Sequence, residues 1–82
     1  MDARQRIKRY ISSNYLFSED PDSVGDQQPL IQSGILDSMG VHELILFIED
    51  DFGIQVAAEE MLPANFDSVE AIDAFVQRKR AA

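Results

Sequence analysis

Apolar residues recur along the chain in three stripes at helical spacing. Ala3, Ile7, Tyr10 and Ile11, continued by Asn14, follow the i, i+3, i+4 pattern and predict a helix from Asp2 to about Phe17, with Arg4, Gln5 and Lys8 on its wet side. The strongest stripe is Val41, Leu44, Ile45, Ile48 and Phe52, on a helix that opens at Asp37-Ser38. Glu43, Asp50 and, at the edge, Glu49 face away from it, whereas Met39, Leu46 and Phe47 lie partly off it. An apolar arc that wide belongs to a helix buried on most sides or to one that offers apolar groups to a partner. Val69, Ile72, Phe75 and Val76 form the third stripe, in a helix entered through Phe66-Asp67-Ser68, where Asp67 and Glu70 have capping-box spacing.

The connections are uneven. Ser18 to about Asp37 carries Pro21, Gly25, Pro29 and Gly34, with four acids before Pro29, and resists regular structure. A loop of this length in a small domain tends to be functional, and Leu30, Ile31, Ile35 and Leu36 are expected to pin its second half to the core. Gly53 follows Phe52 where a left-handed cap is expected, and Ile54-Gln55-Val56 then runs extended. Ala57 to Ala64 holds a short helical piece stopped by Pro63. The expected fold is all-α: three main helices, one short helix and a long first loop.

Composition narrows the function. Eighty-two residues, 45% apolar and 27% charged, suit one folded domain over residues 1–82 with one small core. Without cysteine and with a single histidine, the chain has no disulfide, no thiol nucleophile and no cysteine- or histidine-based metal cluster. No apolar run has the length of a signal peptide or membrane span, so a cytoplasmic monomer is expected. The net charge is −8, but every Lys and Arg lies within residues 4–9 or 78–80. Residues 10–77 hold fourteen of the fifteen acids, a net charge of −14 that repels nucleic acid and steers basic partners in.

Ser38 stands at the start of the most apolar helix, after Asp37 and the long loop. Either residue suits an N-cap. His42, four residues on, would meet Ser38 on the helix surface and raises the possibility of a hydrolase, but a nucleophilic serine also needs an orienting group for the histidine, an oxyanion hole and a pocket, and no glycine-rich elbow is present.

Ser33-Gly34-Ile35-Leu36-Asp37-Ser38-Met39, followed by Glu43-Leu44 and Ile48-Glu49-Asp50-Asp51-Phe52-Gly53-Ile54, resembles the acyl carrier protein family. The resemblance covers roughly residues 3 to 77 and implies a four-helix bundle of acyl-carrier type with 4′-phosphopantetheine on Ser38. It implies no catalysis by the chain itself. Asp37 would accompany the serine in transferase recognition or simply cap the helix. Met39, Glu43, Leu46, Phe47, Glu49 and Asp50 would form the partner-binding face, with Asp51 beside them. The implied partners are a phosphopantetheinyl transferase, an adenylate-forming acyl or aminoacyl ligase, and a downstream acyl-transfer or condensing enzyme.

Simple physics explains why a carrier of the kind the resemblance implies needs these parts. A phosphodiester on Ser38 would lie near the positive end of the helix dipole, and the arm's thiol would hold cargo as a thioester on a chain that lacks a thiol. Tethering would raise the cargo's effective concentration at each enzyme. Gly40 occupies a position that is commonly Asp in fatty-acid carriers. Asp37-Ser38-Met39-Gly40 looks more like the D-alanyl carriers and other aminoacyl carriers, favouring an amino acid or another small acid over a fatty-acid or polyketide-type cargo. Gly40 costs about 1 kcal/mol of helix propensity relative to Ala, which suggests close approach by a partner or the arm. A different class of reading is an unmodified acidic module that docks partner helices through Met39, Leu46 and Phe47.

Overall fold

The computed structural model describes residues 2–81, and four α-helices account for most of them: α1 (Ala3–Tyr15), α2 (Ser38–Phe52), α3 (Pro63–Phe66) and α4 (Val69–Ala81), with 3-10 turns at Pro21–Ser23 and Ala58–Glu60. There is no strand among the described residues, and Ile54-Gln55-Val56 is an extended link. The all-α, four-helix expectation holds.

α1 begins where the Asp2 carboxylate accepts the Gln5 amide at 2.9 Å. Its buried face is Ala3, Ile7, Ile11 and Ser12. Asn14 is exposed and donates to the Tyr10 carbonyl, so it does not extend the stripe. Ser12 is buried instead because Ser23 lies over it and donates its hydroxyl to Ser12 Oγ at 3.1 Å. Loop residues complete the core. Val24, Leu30 and Leu36 are fully buried with Leu44, Ile48, Phe66, Val69 and Ile72, while Ile31 and Ile35 are half-buried. Each fully buried aliphatic side chain contributes on the order of 1.5–3 kcal/mol. Phe66 and Phe75 meet edge to face at 5.3 Å between ring centres.

Asp67 does not cap α4 as its spacing suggested. Its carboxylate accepts the Ile31 amide at 2.9 Å and its carbonyl accepts the Leu30 amide at 2.7 Å, which ties the long loop to the entry of α4. Ser68 does the capping, with its hydroxyl accepting the Ala71 amide at 3.1 Å. The two neighbours divide the work because the loop's bare amides need an acceptor as much as the helix does. Pro63 also differs from expectation: it opens α3 rather than stopping a helix, since proline at the first helical position gives up no bond and its φ is already set.

Arg4 and Lys8 are not merely solvated. Arg4 bridges Asp26 at 3.2 Å and Asp73 at 3.1 Å, and Lys8 pairs with Asp26, clasping α1 to the loop and to α4. Lys8, and with it Arg4, holds the Asp26 carboxyl below its ordinary pKa, and Asp73 raises that of Arg4. At the other end of α4, Lys79 pairs with Glu60 at 2.9 Å. The Ala57 amide, followed by Lys79, lowers the Glu60 pKa.

Candidate functional site

The head of α2 settles which residue is the cap. Asp37 is extended, and its carboxylate accepts the Gly40 amide at 2.7 Å. Ser38 is therefore the first helical residue, exposed and released from capping. α2 closes at Gly53, whose φ of 66° is the left-handed cap that the glycine led one to expect.

Gly40 is buried, and its close neighbours come from the chain itself, which corrects the expectation of an approaching partner or arm. A Cβ added there would lie 3.3 Å from Tyr15 Cε1, 3.3 Å from Asp37 Oδ1 and 3.4 Å from Leu36 Cδ2. The missing side chain thus lets the Tyr15 ring, at the end of α1, lie against the first turn of α2. The Tyr15 hydroxyl donates to Glu43, and burial together with that carboxylate raises the phenol's pKa.

Beside Ser38 lies a mostly apolar cleft of about 460 Å³. Ile31, Gly34 and Leu36 form its loop side, Ser38 and Val41 its helix side, and Met61, Leu62 and Pro63 its far wall. Met61 and Leu62 are exposed, and sequence reasoning passed over them. The available signal was two apolar residues outside any helical stripe immediately before a proline.

The residues expected to face partners separate into two groups. Met39 (72% exposed), Leu46, Glu43 and Asp50 lie on the surface. Phe47 is half-buried, stacked on Tyr10 at 4.2 Å and edge-on to Phe52 at 6.1 Å. Glu49 is also half-buried and accepts the Val56 amide at 2.9 Å, bonding the far end of α2 to the extended link. Phe52, placed by the stripe in the core, is only half-buried, with the Arg6 and Arg80 guanidinium carbons within 6 Å of its ring centre. Asp51 pairs with Arg6 at 2.9 Å. His42 is exposed one turn beyond Ser38, and among the described residues no hydrogen bond links it to Ser38 or to a carboxylate. A serine–histidine triad is not assembled.

An exposed serine released from capping thus stands at the head of the central helix of a small four-helix bundle, beside an apolar cleft. No protein-family profile matches the chain. The chain is 30% identical over 76 residues to the probable acyl carrier protein PigG of a Serratia species, spanning 93% of this chain and 86% of that one. It is 40% identical over 60 residues to the D-alanyl carrier protein of Streptococcus suis, spanning 73% and 72% of the two. The chain belongs to the acyl carrier protein family, whose members generally bear a phosphopantetheine group. No helix among the described residues is long and apolar enough to cross a membrane.

Proposed function

We propose that residues 1–82 act as one carrier domain, that Ser38 bears 4′-phosphopantetheine, and that the carried unit is an aminoacyl or other small acyl group. The observation that carries this reading is the division of labour at the head of α2. Asp37 satisfies the Gly40 amide, so the Ser38 hydroxyl is exposed with no competing bond among the described residues.

The residues present fit the group. A phosphodiester on Ser38 would meet the positive end of the α2 dipole with no Lys or Arg between residues 10 and 77 needed to hold it. When bound, the arm supplies the thiol that this cysteine-free chain lacks. The chain's own part is positioning: α2 fixes the serine, the cleft walled by Ile31, Val41 and Leu62 offers apolar cover beside it, and Asp37 presents a carboxylate to the transferase. The reactions belong to the transferase, an adenylate-forming ligase and a downstream acyl-transfer or condensing enzyme. Their Arg- and Lys-bearing surfaces would meet Glu43 and Asp50, with Met39 and Leu46 as apolar contacts.

Two observations favour a small cargo. The relative named as a D-alanyl carrier protein shares 40% identity over 60 residues, and the Asp37-Ser38-Met39-Gly40 motif points the same way. An ammonium group would resist entry into the apolar cleft and remain in solvent.

The test is the intact mass after incubation with coenzyme A, magnesium and a broad-specificity phosphopantetheinyl transferase. One phosphopantetheine is expected on the wild type and none on Ser38→Ala, with unchanged helical circular dichroism. Modification that persists in the alanine variant assigns the arm to another residue. Comparison of octanoyl- and alanyl-loaded forms by amide shifts at Ile31, Val41 and Leu62 tests the cargo, and marked stabilisation by octanoyl alone would reverse the preference for a small one.

A further inference from the structure

The two long helices that meet near Ser38 end in different ways. α2 turns left-handed at Gly53, for which that region costs little. α1 is capped by Leu16, and the residue that turns left-handed after it is Phe17, with φ of 53°. Phe17 is the one non-glycine residue with positive φ among the described residues. The Ser18 amide closes the turn on the Ser12 carbonyl at 2.9 Å. Among the described residues Phe17, at 92%, is the most exposed of the large apolar side chains, so the ring is not taken into the core. Its backbone conformation is disfavoured by its own Cβ, and its side chain is in water. Glycine or asparagine would serve the turn better. Backbone strain and an exposed ring at one residue, with no gain in the core, are the kind of departure from local rules that clusters at functional sites.

Its position says what it would bind. Tyr15, two residues earlier, lies against Gly40 in the first turn of α2, so Phe17 leaves the bundle at the Ser38 end. Glu19, Asp20 and Asp22 follow it, all exposed. We propose that Phe17 is a docking anchor for the adenylate-forming ligase that loads the arm, seating in an apolar socket rimmed by Arg and Lys on that enzyme. The inference rests on the Ser38 reading. An aromatic ring held out by a fixed backbone loses little freedom on insertion, and a single such anchor can dominate an interface. The three acids then steer a cationic rim toward it.

The experiment uses the full chain in its holo form and the ligase identified by its ATP-dependent acylation of that chain. Phe17→Ala and Phe17→Gly are expected to raise the KM for the carrier at least tenfold with kcat within about twofold, while Phe17→Tyr stays near wild type. Phe17→Gly is also expected to melt a few degrees higher, because it relieves the left-handed strain. A binding loss joined to a stability gain separates an anchor from a structural residue. Unchanged KM in Phe17→Gly overturns the proposal, as does concentration-dependent dimerisation of the wild type that Phe17→Ala removes, since the occupant would then be a second copy. Phosphopantetheine addition to the wild type is measured first: its absence refutes the Ser38 reading, and its presence with unaltered loading of the variants refutes the anchor alone.

Discussion

Tyr15 is seated on Gly40: a Cβ at Gly40 would come within 3.3 Å of the tyrosine Cε1, and the same tyrosine donates its hydroxyl to Glu43, one turn further along α2. The contact joins α1 to the segment that carries Ser38, so the geometry of the serine depends on a residue that has no side chain.

Substitution of Gly40 should expose that dependence. In an open helix Gly→Ala stabilises by about 1 kcal/mol. Here the methyl group would press on Tyr15, Leu36 and the capping carboxylate of Asp37, so Gly40→Ala is expected to show none of that gain, and Gly40→Val to lose roughly 1–3 kcal/mol by overpacking. Urea unfolding measures both. A full propensity gain in the alanine variant would mean that the α1–α2 junction has slack.

Asp37 has a cap role visible in the structure and a recognition role that is proposed, and two substitutions separate them. Asn is as good an N-cap as Asp, whereas Ala costs about 1 kcal/mol. Asp37→Asn should therefore melt like the wild type and Asp37→Ala several degrees lower. If the charge serves the transferase, Asp37→Asn will slow phosphopantetheine addition at least tenfold at unchanged stability. Equal rates for wild type and Asp37→Asn would leave Asp37 as a cap only.

Charge reversals on α2 should not be equivalent. Glu49→Lys removes the acceptor of the Val56 amide and is expected to lower the melting temperature as well as any partner affinity. Among the described residues Asp50 makes no such internal bond, and it is exposed, so Asp50→Lys should reduce the association rate with a basic partner at low salt while leaving the melting temperature unchanged. Stopped-flow association at two ionic strengths, with thermal melts of each variant, distinguishes the two cases.

Acid should loosen the clasp between α1 and its loop. Lys8 and Arg4 hold the Asp26 carboxyl below its ordinary value of 3.8. A carboxylate with a lowered folded pKa contributes stability that is complete above the unfolded value and is lost as pH falls through the folded one. The stability difference between wild type and Asp26→Asn is therefore expected to be largest near neutral pH, to shrink as the pH falls below 3.8, and to disappear in stronger acid. Urea titrations of both proteins through the acid range check the sign. A difference that grows on acidification would contradict the assigned pairing.

The local signals in the chain were those that depend on neighbours a few residues apart. The Leu44, Ile45, Ile48 spacing predicted the buried face of α2, Gly53 its left-handed end, and the Asp37-Ser38 pair the head of the helix, because periodicity and capping are short-range effects. Tertiary structure decided whatever depended on which distant group lay opposite. The Asp67 carboxylate does not cap α4 because it accepts the Ile31 amide, far away in sequence, and Ser68 caps the helix instead. Glu49, at the edge of the outward side, and Phe47, partly off the stripe, are engaged by Val56 and Tyr10. Gly40 appeared to await a visitor and instead receives Tyr15. Met61 and Leu62 belong to no stripe, and only the return of the chain past α2 makes them a wall beside Ser38. Spacing along a helix states which side a residue faces, but whether that side meets water, a carboxylate or a backbone amide is set by segments that arrive from elsewhere in the chain.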